Sequence, residues 1–228
     1  MKIAIIPARG GSKRIPRKNI KLFHGKPMIA YSIDAALASG CFDKVIVSTD
    51  DQEIADVALE YGAEVPFLRP EDISDDYATT IDVIQHAMQE LKLNAEDKIC
   101  CIYATAPFIE VNQLLSGLKL LEDHQLDYSY SATEFSFPIQ RAFYLNDSGK
   151  VEMFYSDHFN TRSQDLTKAY HDAGQFYWGT YEAYKKGTPF FSANTIPVIL
   201  DISKVQDIDT PSDWKRAELI FNLNLTKK

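Results

Sequence analysis

Short apolar runs alternate with amphipathic helical patterns along most of this chain, and that alternation leaves few architectures open. Residues 2–6 form a continuous apolar run, the form taken by a strand buried on both faces of a parallel sheet. Downstream, Pro27 suits a first helical position, Ile29, Ile33 and Leu37 recur at helical spacing, and Gly40 can end the helix. The pattern repeats: a strand over 44–48 and a helix over 51–61 closed by Gly62, a strand over 64–68 and a helix over 79–91, a strand over 98–103 and a helix over 111–123. Strands alternating with helices predict crossover units and an α/β fold with a doubly wound, mainly parallel sheet. Ligands of such sheets sit beyond the carboxyl ends of the strands. The loops after Ile6, Ser48, Leu68 and Tyr103 are therefore where chemistry is expected.

The rhythm breaks after Phe135. Residues 141–145 and 150–154 flank Asn146, Asp147, Ser148 and Gly149, which reads as a β-hairpin. The surrounding segment is rich in aromatic and polar residues, so 135–172 is expected to be an inserted element, a lid or an oligomer contact. Its aromatics and Arg favour the contact. The core, residues 1–134 and 173–228, resumes with 174–178, a strand over 195–200 and a last helix over 211–222. Lys227 and Lys228 are expected to fray.

A chain of 228 residues accommodates one large α/β domain plus a subsidiary element. The net charge of −8 argues against a broad nucleic-acid surface, which needs an extended basic face. No apolar stretch approaches the ~20 residues that span a bilayer, and the N-terminal run is too short for a signal peptide. Cys41, Cys100 and Cys101 lack zinc-site spacing, and Cys100 and Cys101 would face opposite sides of a strand. A cytoplasmic protein with reduced, structural cysteines, bound to neither membrane nor nucleic acid, is expected.

Against that acidic background, no Asp or Glu precedes Asp34, while Arg9, Lys13, Arg14, Arg17 and Lys18 crowd the loop after the first strand. Gly10 and Gly11 permit a tight turn and let backbone N–H groups approach an anion, and Ser12, Lys13, Lys18 and Asn19 add donors. The spacing is neither the Walker pattern nor the dinucleotide Gly-x-Gly-x-x-Gly pattern. A solvated basic loop would look similar, but its place after the first strand favours phosphate.

A second constellation is Asp207 and Asp209. Two apart in an extended segment, their carboxylates share a side, which suits Mg²⁺; alternatively, Asp209 or Thr210 caps the helix that follows. The acids after the second strand, Asp50 and Asp51, could bind a ribose hydroxyl or cap a helix. Arg69, Thr79 and Thr80 could reach a base or phosphate, and Thr79 could equally be a cap. Among the scattered histidines, His171 stands at the re-entry into the core.

These pieces together resemble the cytidylyltransferases that activate nine-carbon acidic sugars, the CMP-sialic acid synthetase family. The resemblance spans nearly the whole chain: Pro7, Ala8, Arg9, Gly10, Gly11, Ser12 and Lys13, then Lys18 and Asn19, then Ser48, Thr49 and Asp50, Arg69 and Pro70, residues 104–107, and Asp207, Asp209 and Thr210. It implies a Rossmann-like core, a homodimer built through the inserted hairpin, and CTP as the nucleotide. It further implies that Ala8, Arg9, Gly10, Gly11, Ser12, Lys13, Lys18 and Asn19 hold triphosphate and ribose. Arg69, Thr79, Thr80 and Thr105 would lie near the nucleotide, and Asp207 and Asp209 would hold Mg²⁺. Arg9, Lys18 and Asp209 would be the catalytic residues.

The chain departs from the sialic acid branch where the sugar is read. That branch commonly carries Gln and Arg where Tyr103 and Ile109 stand, and Asn-Gly where Ala173 and Gly174 stand. A more apolar sugar is expected, and the variant looks like the pseudaminic acid branch. Tyr103, Thr105, His171, Gln175, Phe176 and Tyr177 are the expected sugar contacts, with Arg162 and Gln164 as candidates to cross into a neighbouring subunit. The expected reaction is transfer of CMP from CTP to the anomeric hydroxyl of the sugar. N-acetylneuraminic or legionaminic acid is the alternative acceptor, and an inactive nucleotide-binding regulator is the reading from another class.

Overall fold

A computed structural model describes residues 1–75 and 77–225; the expected fraying at Lys227 and Lys228 lies outside them. In chain order the elements are β1 (Lys2–Pro7), β2 (Leu22–Phe23), β3 (Lys26–Pro27), α1 (Met28–Ser39), β4 (Lys44–Ser48), α2 (Gln52–Glu60), α3 (Thr80–Glu90) and β5 (Lys98–Ile102). They continue with α4 (Val111–Asp123), β6 (Tyr128–Glu134), β7 (Phe143–Leu145), β8 (Val151–Met153), β9 (Tyr170–Thr180), α5 (Tyr181–Lys186), β10 (Val198–Leu200) and α6 (Pro211–Leu225).

Six strands make the central sheet in the order β10-β6-β9-β5-β1-β4. β1 pairs in parallel with β4 on one side and β5 on the other, whereas β9 runs antiparallel to both β5 and β6. The chain therefore winds one way from β1 to β4 and the other way to β5. The crevice between β1 and β5 is the switch point, where open α/β sheets bind ligands.

Burial follows the strand period. On one face Ala4, Ile6, Cys100 and Ile102 join Ile29 and Ile33 of α1, Ile54 of α2 and Leu114 of α4. On the other, Ile3, Ile5, Ile99 and Cys101 meet Ile84 and Met88 of α3 and Tyr184 of α5. Cys100 and Cys101 thus face opposite sides, free and buried, as their adjacency required. Gly40 ends α1 in the left-handed conformation, and Pro27 stands one residue ahead of the helix rather than inside it.

Three expectations change. Residues 64–68 form no strand; they touch the sheet through single bridges, Ile46 to Glu64 and Thr49 to Leu68, because Pro66 offers no N–H for a ladder. The core resumes at Tyr170, paired with Glu134, so His171 and Asp172 belong to the sheet and not to the insertion. The strand expected over 195–200 shrinks to β10, with Pro197 immediately before it. β6 and α5 had no clear signature: the alternation of β6 is Tyr against Ser, and α5 is one and a half turns long. The hairpin formed by β7 and β8 is present, with Asn146 at its turn. No helix among the described residues is long and apolar enough to cross a membrane.

Candidate active site

A cavity of about 370 Å³ opens at the switch point. Arg9, Lys13, Arg14, Lys18 and Arg69 line it, against Asp75 and Asp209 as the acidic members. Ser12, Asn19, Thr80, Tyr103 and Thr105 complete the polar wall. Positive charge exceeds negative in a concave, partly desolvated space, which is the electrostatic requirement of a polyphosphate site.

The basic loop is held rather than loose. Arg17 takes a left-handed φ of 55°, uncommon for a residue with a Cβ. Its guanidinium forks onto Asp51 at 2.5 and 2.8 Å and also reaches Glu53. The fork draws the Asp51 carboxyl down to about 2. Asp51 also accepts the Ile54 N–H at 3.0 Å, so it caps α2, a contact worth about 1 kcal/mol. Its neighbour Asp50 accepts the Gly10 N–H at 2.9 Å and faces Arg69 at 3.8 Å. Capping thus falls to Asp51, while Asp50 fastens the loop. Asn19 is buried and donates to the Arg9 carbonyl at 3.0 Å, tying the two ends of the loop together.

Arg69 is buried, and burial lowers its affinity for the proton, with the Asp50 charge opposing and the Arg9 charge adding to the effect. Its Nε donates to Ser74 Oγ at 3.0 Å, which fixes the fork toward the cavity. Arg9 reaches across to the Asp75 carbonyl at 2.6 Å.

Asp209 arrives from the far end of the sequence. Ile208 is fully buried with Ile15 of the basic loop, Phe23, Met28 and Trp214, and Lys21 lies over the Trp214 ring at 4.6 Å. This apolar anchor leaves Asp207 and Asp209, on either side of Ile208, directed away from the cluster. Asp209 meets Arg14 at 2.9 Å and Lys18 at 3.3 Å. Burial and the charge of Asp209 raise the Asp207 carboxyl above its ordinary value, with Lys18 opposing. Capping of α6 is done by Thr210, which exchanges bonds with Asp213 at 2.8 and 3.2 Å, so Asp209 is released from that duty. Among the described residues no group of three or more His, Cys, Asp or Glu is gathered for a metal. Two carboxylates that flank one buried residue, Asp207 being raised in part by the charge of Asp209, are, however, a donor set suited to Mg²⁺, which takes few protein ligands and completes its shell with phosphate and water.

The remaining expected residues separate. Ala8, Gly10 and Gly11 belong to the held loop beside the cavity. Thr79 exchanges bonds with Asp82 as the cap of α3, leaving Thr80 to face the cavity. Tyr103 and Thr105 line the wall, but Ile109 lies in the core with α4. Phe176 is in that same cluster, against the face that carries α1 and α4, and Tyr177 lies on the opposite face behind Tyr103 at 5.5 Å. Gln175 is buried, donating to the Lys204 carbonyl at 2.7 Å, with its Oε1 unpartnered. His171 packs on Phe135 and bonds the Asp172 carbonyl. Arg162 and Gln164 are exposed in the insertion, where Arg162 pairs with Asp165 at 2.7 Å. Arg14 and Ser74 were given no role in advance; Arg14 had a signal in the basic run, whereas Ser74 depends on a loop whose course only the fold sets.

The chain matches the family described as Cytidylyltransferase over residues 3–226. It is 49% identical over 224 residues, 97% of each chain, to the pseudaminic acid cytidylyltransferase of Campylobacter jejuni subsp. jejuni serotype O:23/36. It is 35% identical, again over 97% of each chain, to the CMP-N,N'-diacetyllegionaminic acid synthase of Legionella pneumophila. Its fold is similar to that of a CMP:2-keto-3-deoxy-manno-octonic acid synthetase solved with CTP, with a TM-score of 0.71 at 18% identity, covering 98% of this chain and 99% of the other. With a family match running almost from end to end and a cationic cavity at the switch point of its sheet, this chain belongs to the cytidylyltransferases.

Proposed function

We propose that this chain transfers CMP from CTP to the anomeric hydroxyl of a nine-carbon α-keto acid sugar, pseudaminic acid foremost, and releases pyrophosphate. The observation that carries the reading is the cavity, where five basic side chains face two acidic ones at the switch point of the sheet.

In this reading the anomeric oxygen attacks the α-phosphorus, its bond to phosphorus forms as the bond to the pyrophosphate oxygen breaks, and the hydroxyl proton is lost. Little covalent work falls to the protein, so positioning and charge compensation dominate. Arg9, Lys13 and Lys18 compensate charge on the departing pyrophosphate. Ser12, Asn19 and the backbone of Ala8, Gly10 and Gly11 orient the triphosphate and ribose. Arg69, Thr80 and Thr105 bound the nucleotide, while Tyr103 and Thr105 meet the sugar. Asp207 and Asp209 would hold Mg²⁺, which when bound supplies Lewis-acid polarisation and a template for the phosphates. The sugar assignment follows the relative of higher identity.

The insertion supports a homodimer in the same reading, since Phe137, Phe143, Leu145, Phe154 and Phe159 leave their side chains exposed. The cytoplasm, where CTP is supplied, is the compartment that suits these substrates.

The test is pyrophosphate release by the purified protein with CTP, Mg²⁺ and a panel of pseudaminic, legionaminic and N-acetylneuraminic acids. The highest kcat/KM is expected for pseudaminic acid. Release with none of the three would overturn the reading, and preference for another acid would overturn the sugar.

A further inference from the structure

Gln175 makes one side-chain hydrogen bond under conditions that stability alone does not explain. It is 2% exposed, and its amide donates at 2.7 Å to the carbonyl of Lys204. A carbonyl only accepts, so the NH₂ group must face Lys204. Oε1 is then left inside the protein with no partner among the described residues. An unpaired buried acceptor gives up the water it bonds in the unfolded chain and regains nothing. An apolar side chain of the same length would avoid that loss. What Gln175 supplies instead is a fixed point on Lys204.

That point lies in a clamped turn. β10 ends at Leu200, whose carbonyl accepts the Thr133 hydroxyl at 2.9 Å. Asp201 then caps a 3₁₀ turn over Ile202–Lys204, accepting the Ser203 N–H at 2.8 Å. Lys204 Nζ meets both carboxylate oxygens of Glu110, just ahead of α4, at 2.6 and 2.8 Å. The Asn224 amide of α6 donates to the Ser203 carbonyl at 3.2 Å. Val205 is buried with Ala173 and Leu200, and Ile208 is buried in turn, so Asp207 stands between two anchors. Held from α4 and α6, the turn is held from β9 by Gln175. Gln175 is itself locked, its N–H donating to Ser131 Oγ at 3.2 Å and its carbonyl accepting the Tyr103 N–H at 2.9 Å. One residue thus ties the Tyr103 wall of the cavity to the approach of the two acids.

We propose that Gln175 is a positioning residue and not a sugar contact: through the Lys204 carbonyl it sets where the segment carrying Asp207 and Asp209 leaves the sheet, and so how tightly that carboxylate pair takes a divalent cation. This rests on the reading of Asp207 and Asp209 as the Mg²⁺ donors.

Gln175→Met keeps the length of the side chain and removes both the clamp and the unpaired oxygen. The two changes oppose each other, so in metal-free buffer its melting temperature should lie within about 3 °C of the wild type's. At saturating CTP, the Mg²⁺ concentration that gives half of the thermal stabilisation should rise about tenfold, as it does when a group that orients metal ligands is lost. The KM for pseudaminic acid at saturating Mg²⁺ should stay within about twofold. A merely structural role would lower the metal-free melting temperature and leave the Mg²⁺ requirement as it is. Lys204→Met opens the same turn from its solvated Glu110 side, should raise the Mg²⁺ requirement likewise, and carries the test if Q175M does not fold. An unchanged Mg²⁺ requirement in the folded variant, or a raised sugar KM at saturating Mg²⁺ in Q175M, overturns the positioning role. Asp207→Asn, run alongside, should abolish the Mg²⁺ response; if it responds as the wild type does, the metal reading falls and the proposal falls with it.

Discussion

Lys18 Nζ lies 3.3 Å from Asp209 Oδ1, joining residues 191 apart in sequence, and donates at 2.6 Å to the carbonyl of Ile208 between the two acids. One ammonium therefore ties the loop of β1 to the approach of α6, the two parts of the cavity most distant along the chain. Lys18→Ala is expected to raise the CTP KM about tenfold, and Asp209→Ala to lower kcat by about 10²–10³, the range for removing one preorganised electrostatic group. Steady-state kinetics at varied CTP check both, with far-UV dichroism as the folding control. Unchanged CTP kinetics in Lys18→Ala would make the loop a bystander.

The two glycines of the basic loop should behave differently. A Cβ on Gly10 would stand 2.6 Å from Asp51 Oδ2 and 3.0 Å from Asp51 Cβ, whereas one on Gly11 meets nothing within 4 Å. Asp51 has no room to withdraw, since Arg17 and the Ile54 N–H both hold it. Gly10→Ala is expected to cost about 1–3 kcal/mol, as overpacking does, and to raise the CTP KM. Gly11→Ala should stay within about 0.5 kcal/mol of wild type. Urea unfolding compares them directly, and equal stability would contradict the close approach.

Much of this architecture was legible because local rules suffice for it. The period of residues 2–6, the glycine after α1 and the charge asymmetry of the first loop each require only neighbours in sequence. Much of the cavity wall was legible in its ends, the loop from Arg9 to Asn19 and Asp209, because their patterns are compact. What stayed hidden depends on pairing. Asp50 and Asp51 divide loop-fastening from capping only once Gly10 and Arg17 are folded against them. Phe176 and Tyr177 part to opposite faces by strand alternation. Thr79 and Thr80 could be told apart only by which of them begins α3.

Asp207 carries a cost that stability measurements should reveal. Its folded carboxyl is raised, by burial first and by Asp209 second. A raised value means that the fold favours the protonated form: stability is fully present below the unfolded value and is lost as pH rises through the folded one. Asp207→Asn removes that loss. In metal-free buffer its melting temperature should exceed the wild type's at pH 7, with the gain vanishing below about pH 4. Asp207 is covered only in part and still meets solvent, and screening there keeps the gain small, about 1–2 °C. The same variant should lose any stabilisation by Mg²⁺ with CTP. Melts across pH with and without the metal decide it, and a variant less stable than wild type at pH 7 would contradict the strain.

The hairpin of β7 and β8 makes the last case, since it has no core of its own to justify its side chains. Phe143, Leu145 and Val151 are 58, 64 and 60% exposed, and register places Leu145 opposite Val151 and Phe143 opposite Met153. Phe143 and Leu145, two apart on one strand, share a face. A contiguous apolar face of this kind on a solvated hairpin is suited to a contact surface, and in the proposed homodimer a second copy of the chain would cover it. Light scattering should give twice the 25.8 kDa chain mass. Phe143→Glu together with Leu145→Glu places like charges where the two hairpins would meet and should yield a monomer with unchanged far-UV dichroism, because neither side chain contributes to the sheet core. A wild type that is already monomeric, or a doubly charged variant that still dimerises, would move the contact elsewhere on the molecule.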